Sequence, residues 1–409
     1  MQVEELTPTN RSYAPGEREE LLLPRQGQEA IVLRASVHST FEELRSDWET
    51  FEKTALSTPF QSYTWLSTWY DKVGKPAGEE PVIMVLRDGQ QQLMMLMPLS
   101  RVHTPVGNML VDMGQPVCDY HAPLYAPRFL EVLDAGTMGQ VWDFILEALP
   151  DADLVSLAKQ PVAIGKTPNP MAWVCTKPYF TPNSYQMSLT GYDDWHDLLS
   201  TKRSGKARSR MNGKRNKLAK LGEIGFRAVT EPSERANLAR KLLAMKTKDL
   251  ARTGKNSIFT DRRVHDFIAA VSGKHGENDN IVMHVLTCNA EDVALTYSLN
   301  WQHTIYYYIA SYERGPYERS SPGALALCRV FEWCLDEKIK TFDFTIGDEG
   351  YKLEWSDRTT GLVCGTFAVT AKGRFGERLE AAKLSLKHTI KSSPIMYKVA
   401  SRLLYHFRR

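Results

Sequence analysis

The chain is poor in cysteine, and what it has is scattered. Six cysteines occur in 409 residues, and none stands in a CxxC or CxxxxH-type spacing. A disulfide framework and a metal site are therefore not expected, and a reducing cytoplasm is the expected home. No uninterrupted apolar stretch approaches the roughly 18 residues that a membrane-spanning helix needs. The first 28 residues are polar and acidic, unlike a signal peptide, and are expected to form a flexible leader. Charge of one sign is also missing in bulk. The 51 Lys and Arg against 48 Asp and Glu leave a net charge of only +3, so no global field points to nucleic acid or membrane.

What is present is the patterning of an ordinary globular protein, long enough for two domains. A strand at 30–37 leads to a helix at 41–55 with Phe41, Leu44, Trp48, Phe51 and Ala55 on one stripe. An aromatic-rich helix follows the turn at Pro59, then strands at 81–87 and 92–102 joined by Asp88-Gly89. Past an irregular stretch carrying Cys118-Asp-Tyr-His-Ala-Pro-Leu124, a helix at 137–149 and a strand at 152–157 close the first unit. The same order then repeats. It runs through a strand at 184–189, a helix at 192–221, a strand at 225–229, and helices at 234–251 and 261–272. Strands at 281–287, 292–300 and 304–311, a helix from Ser321, and strands at 341–346 and 361–370 complete it. The expected fold class is α/β (α+β), with tandem units over 29–183 and 184–372. Each would be a mixed, mostly antiparallel sheet flanked by helices.

Chemistry concentrates in the second unit. Ser321 suits an N-cap and Pro322 the first helical position, while Leu325, Leu327, Cys328, Phe331, Cys334 and Leu335 recur at helical spacing. A helix N-terminus aimed at a sheet end is a ready anion site. Residues 202–220 hold nine Lys or Arg and no acid, which favours a phosphorylated or acidic ligand over a plain solvated face. Aromatics do not interleave with these cations, so stacking on single-stranded nucleic acid is not indicated. Asp119, Tyr120 and His121 lie in the irregular stretch, where an Asp or His can hold an acceptor or take its proton. Asp343 is either a partner for Lys352 or a plain polar strand position. Tyr306, Tyr307 and Tyr308 offer rings to both faces of a strand. The tail over 373–409 is basic and amphipathic. Ser393-Pro394 would start a helix with Ile395, Met396, Val399, Leu403 and Leu404 on one face, suited to docking on its own domain or to an anionic membrane.

In this arrangement the chain resembles the GNAT-type acyltransferase superfamily. It is most similar to the CelD/BioF-like acetyltransferase group of exopolysaccharide and cellulose synthesis, itself similar to the tandem-unit Fem aminoacyltransferases. The matching residues are Pro59-Phe-Gln-Ser-Tyr63 with Trp65, the spaced cations of 204–218, Ser321-Pro-Gly323, and Asp343 through Gly347 to Tyr351-Lys352 with Trp355. The resemblance spans about residues 32–369. It departs at the phosphate loop, Arg319-Ser-Ser-Pro-Gly-Ala324, where Pro322 replaces the first glycine and removes one N–H.

The resemblance implies an N-acyltransferase that uses acetyl-CoA or another acyl-CoA as co-substrate, without a metal. The acceptor would be an amine on an anionic small molecule or saccharide of envelope or exopolysaccharide synthesis. The donor would lie where the strand ending at Ser311 splays from that over 341–346. Arg319, Ser321, Gly323, Ala324 and Tyr308 would hold it. Lys352 would stabilise the oxyanion, with Tyr351 and Asp343 beside it. Asp119, His121, Lys202, Arg203, Arg208, Arg210 and Arg215 would meet the acceptor. The alternatives are a Fem-like transferase using aminoacyl-tRNA and a non-catalytic adaptor. The enzyme would be cytoplasmic, with peripheral contact at the inner face of the membrane through the tail.

Overall fold

The computed structural model describes residues 20–25, 28–105, 107–179, 183–253, 257–274 and 280–392. Two sheets organise them. In the first, the order is Glu20–Arg25, Gln28–His38, Glu80–Asp88, Leu93–Thr104, Gly107–Asp112, Leu154–Pro161, Leu362–Ala368 and the short Lys177–Pro178. In the second it is Ile224–Val229, Ile281–Cys288, Glu291–Trp301, Thr304–Tyr312, Thr341–Ile346, Ser184–Ser188 and Arg358–Thr360. Each sheet holds one parallel pair, Gly107–Asp112 with Leu154–Pro161 and Thr304–Tyr312 with Thr341–Ile346. A parallel pair needs a crossover, and helices Ala135–Ala148 and Pro322–Asp336 supply the two.

The element order expected from sequence is therefore realised twice, with one strand displaced. Ser184–Ser188 opens the second unit and pairs with Thr341–Ile346 in the second sheet. Leu362–Ala368 closes the second unit in the chain but pairs with Leu154–Pro161 in the first sheet. The strand expected at 361–370 thus forms, but in the opposite sheet. The first unit is completed by a strand from the end of the second, which ties the two together.

Packing reinforces that tie. One apolar core runs from Trp48, Phe60, Trp65 and Trp69 of the first unit into Phe267, Tyr297 and Tyr306 of the second. The Trp65 and Phe267 rings meet edge-on at 4.9 Å. A separate cluster under helix Pro322–Asp336 gathers Phe331, Phe342, Phe344 and Trp355. Strand alternation explains the division. Phe342 and Phe344 point to the helix, while Asp343 between them faces the first unit.

Several expectations need correction. The leader does not extend to residue 28, because Glu20–Arg25 is a strand in register with Gln28–His38, Leu23 opposite Ile31. Its remainder over 1–19 lies outside the described residues, as does the expected tail helix from Ser393. The helix expected over 192–221 is two, Trp195–Lys202 and Gly205–Ala219. Ser204 breaks it by turning extended (ψ 156°) and accepting the Ala207 N–H, an N-cap that restarts the helix. The turn expected at Tyr351-Lys352 is a short helix, Gly350–Trp355. Helix Ala371–Ser392 continues from the last strand. Among the described residues no helix is long and apolar enough to cross a membrane.

Candidate active site

The second sheet opens where its parallel pair ends. Register runs Thr304 to Thr341, Ile305 to Phe342 and Tyr306 to Asp343, and stops there. Two features force the divergence. Tyr297 pairs with Ile309 and Ser298 with Tyr307, so Tyr308 is an extra, bulged residue. Thr345 takes a φ of 56°, which a β-branched residue adopts only under constraint. The constraint is visible, since the Thr345 N–H donates to Asp343 Oδ1 at 2.7 Å. Apolar alternation therefore fails at the last position of the strand. Ile346, expected on the face of Phe344, packs instead against the core shared by both units.

Asp343 is fully buried and serves as the hub. Besides Thr345 it accepts from the Tyr120 hydroxyl at 2.7 Å and from Gln186 Nε2 at 2.8 Å. Burial pushes its carboxyl up to about 6, with the Gln186 and Tyr120 hydrogen bonds opposing that rise. Burial beside Asp343 holds Tyr120 well above its ordinary range, so its hydroxyl remains a donor.

The loop carrying Tyr120 is fixed by the motif at Pro59. Gln61 Nε2 donates to Tyr120 O at 2.8 Å, Thr58 donates to Gln61 Oε1 at 2.6 Å, and Trp48 Nε1 donates to Gln61 O at 3.0 Å. From the other side, the Tyr308 hydroxyl donates to Val117 O. Tyr308, expected to hold the donor, thus also anchors the loop that carries Tyr120. Asp119 meets the Thr345 hydroxyl and the Ile346 N–H; burial raises its carboxyl and Lys159 opposes this.

Lys352 comes up beneath the same strand end. It is only 4% exposed, donates to Ile346 O at 2.8 Å and pairs with Glu349 at 3.0 Å. One of its three N–H groups is left for another acceptor. Gly347 makes room for it, because at φ 146° a Cβ there would stand 2.6 Å from Lys352 Nζ. Tyr351 is 37% exposed and packs edge-on to Phe344 at 6.2 Å.

The structure thus brings together Asp119, Tyr120, Tyr308, Asp343 and Lys352. It separates His121, whose buried ring bonds to the Met113 backbone and which burial and Lys159 keep neutral. At the start of helix Pro322–Asp336, Arg319 is exposed, and Ser321 sits at φ 51° without a side-chain cap hydrogen bond. Ser321 is therefore the N-cap by position only. Ala324 N–H is occupied by Ser321 O at 3.0 Å, which leaves Gly323 as the better anion donor. Gly323 lies so close to Tyr312 that a Cβ would approach its ring to 2.9 Å.

Two of the expected acceptor cations already have partners. Lys202 pairs with Asp357 at 2.8 Å, and Arg203 pairs with Glu354 and lies 4.9 Å over the Trp355 ring. Among the described residues Arg208, Arg210 and Arg215 make no salt bridge, and the last two are exposed. Their helix packs Met211 on Cys328 at 3.2 Å and runs beside the turn Gly315–Ser320 that carries Arg319. A larger cleft of about 1010 Å³ lies elsewhere, between Phe41, Tyr63, Tyr70 and Ile281, and includes none of these residues. Among the described residues no cluster suits a metal.

Sequence reasoning missed Gln186 and Thr345. Gln186 had a signal: a polar residue between the apolar Tyr185 and Met187 on a buried strand requires a buried partner. Thr345 had none, since its strained backbone is set by Asp343.

Residues 205–353 match the family model described as an acetyltransferase (GNAT) domain. The match covers most of the second unit, which is thereby similar to the GNAT acyltransferases. Among solved structures, FemX shares the fold of this chain at 10% identity and a TM-score of 0.55, over 85% of this chain and 100% of that one. L-PGS from Bacillus licheniformis aligns at 14% identity and a TM-score of 0.47, over 80% and 92%. A tandem GNAT protein from the clavulanic acid biosynthesis pathway aligns at 11% and 0.42, over 83% and 99%. No curated protein matches the chain in sequence.

Proposed function

We propose that the second unit moves an acyl group from acyl-CoA, acetyl-CoA in the first instance, to an amine on a sugar or cell-envelope precursor. The observation that supports this is the wedge opening at Tyr306 and Asp343, with a buried carboxylate on one side and a buried ammonium at its end. The amine nitrogen attacks the thioester carbonyl, a C–N bond forms, the C–S bond breaks, and CoA leaves as the thiol. Asp343, ionised above about pH 6, takes the proton from the attacking nitrogen. Lys352 offers its remaining N–H to the oxyanion, where exclusion of water strengthens the interaction. Gly323 and Arg319 meet the donor's phosphates, and Arg208, Arg210 and Arg215 extend the positive surface for an anionic substrate. The enzyme works in the cytoplasm, and its basic tail suits contact with the inner face of the membrane.

A second reading has its own support. Pro322 removes one backbone donor and Ser321 occupies another, so the phosphate loop is weaker than in acyl-CoA enzymes of this type. That favours a Fem-like reaction, with the basic helix holding the RNA of an aminoacyl-tRNA. Calorimetric titration separates the two. Acetyl-CoA binding at micromolar concentrations, abolished by competition with CoA, supports the first reading. Absence of heat with acetyl-CoA, together with salt-dependent tRNA binding, supports the second.

A further inference from the structure

Beside Asp343 lies a second, small cavity. Its walls are Thr58 and Tyr120 from the first unit, Ser184, Gln186, Tyr306 and Asp343 from the second sheet, and Pro161, Ala163, Ile164 and Gly165 at the hairpin that roofs it. That hairpin pairs Ala163–Ile164 with Thr167–Pro168, and the Arg358 guanidinium donates to Gly165 O at 2.6 Å. The volume is about 10 Å³, which fits one water-sized group. Among the described residues, Asp343 is the sole charged one of the lining.

We infer that this cavity is the acceptor's ammonium hole, and that it selects a primary amine on an unhindered carbon. The inference rests on the acyltransfer reading above and narrows its acceptor. The chemistry of the lining is specific. A buried carboxylate calls for a cation or a proton, and the cavity admits only a cation the size of an –NH₃⁺ head. Asp343 and the Thr58 and Ser184 hydroxyl oxygens accept its N–H groups, and the Tyr306 ring offers a face beside them. Pro161, Ala163 and Ile164 are apolar and meet the carbon that bears the nitrogen. A quaternary ammonium is too large and has no N–H to give. An anionic group is repelled by the carboxylate, so the negative charge of an anionic acceptor belongs at the basic helix, away from the reacting nitrogen. Once the amine is seated, one ammonium proton passes to Asp343 and leaves the neutral nucleophile facing the wedge, and the second, released as the C–N bond forms, goes to the departing thiolate.

Two groups that donate directly to Asp343 report occupancy, the Thr345 backbone N–H and the Gln186 side-chain amide. The test is a ¹H–¹⁵N titration of the full chain with ethylammonium, isopropylammonium and tetramethylammonium chlorides at matched ionic strength. Both reporters are expected to shift saturably with ethylammonium, more weakly with isopropylammonium, and not with tetramethylammonium. Asp343→Asn keeps the acceptor for Tyr120 and Thr345 but loses the charge. It should weaken ethylammonium by about tenfold or more, as loss of a charge-assisted hydrogen bond implies. Equal shifts with tetramethylammonium, silent reporters at saturating ethylammonium, or an unchanged affinity in Asp343→Asn would overturn the inference. Acetyl-CoA titration of the same samples separates the failures. Acetyl-CoA binding with silent reporters removes the ammonium hole alone; reporters that respond without acetyl-CoA binding leave the hole and remove the acyl-CoA donor.

Discussion

The two units use one topology but differ where their parallel strands part. In the first, pairing ends at Val111 and Ser156, and the next residue, Asp112, turns its carboxylate into the gap. It accepts the Ala158 N–H at 2.6 Å and Gln160 Nε2 at 2.8 Å, so the wedge is filled from within. Helix Ala135–Ala148 opens with Asp134 in a capping box with Thr137. A carboxylate already sits where an anion would bind. In the second unit the corresponding helix has no side-chain cap, Arg319 is exposed beside it, and the wedge carboxylate is held by Tyr120 across the unit boundary. The same scaffold is closed on itself in one copy and open to ligands in the other. The first unit thereby supports the wedge of the second through Tyr120.

The largest expected break in that comparison is Lys352→Ala, which removes the cation at the open wedge. Turnover should fall by about 10²–10³-fold, as for loss of one oxyanion donor, with a lowered melting temperature because Ile346 O loses its buried partner. Lys352→Met, which keeps the side-chain volume, should show the same loss of turnover. Asp112→Asn, the matching change in the closed wedge, should leave turnover within about twofold, since the amide still accepts from Ala158.

Proton linkage gives the next contrast. Asp343 must be ionised to act, so kcat/KM should rise with pH through about 6. Tyr120→Phe removes a donor that favours the ionised form and should move that midpoint upward, while Gln186, Thr345, Lys352 and Asp119 still surround the group. A midpoint that stays in place would break the link between units. Asp112 is pushed up to about 8 by burial, so in the first unit the folded state holds its proton more tightly than the unfolded state does. Its favourable share of stability is full below the ordinary Asp range and is lost as pH rises from there to about 8. Asp112→Asn removes that loss, so the variant's melting temperature should gain on wild type across this window in differential scanning calorimetry.

Much of this contrast was legible in the residues. Strand 341–346 was readable because aromatics alternate with Asp343 and Thr345, and the crossover helix because Pro322 marks its start. Tyr351-Lys352 was readable as a motif. The transfer of Leu362–Ala368 to the first sheet was not, because its strand pattern is the same whichever sheet it joins. Nor was the pairing of Tyr120 with Asp343, 223 positions apart, since no local pattern encodes a contact across units. The basic run was legible as charge. That Lys202 and Arg203 are answered by Asp357 and Glu354 required the fold.

The smallest effects lie at the two crossover-helix starts, where a single methyl-for-polar change distinguishes a cap from an anion site. Asp134→Ala removes a carboxylate that accepts the Thr137 N–H at 2.8 Å, and should cost about 1 kcal/mol of stability in urea unfolding. Acetyl-CoA affinity should not change. Ser321→Ala has no cap hydrogen bond to lose, yet its left-handed φ of 51° is unfavourable for alanine too. Its stability should therefore stay within about 0.5 kcal/mol of wild type, the range of substitutions that remove no named interaction. If Ser321→Ala proves as costly as Asp134→Ala, the serine hydroxyl caps the helix in solution. The two helix starts would then be alike, and the open anion site of the second unit would have to rest on Gly323 and Arg319 alone.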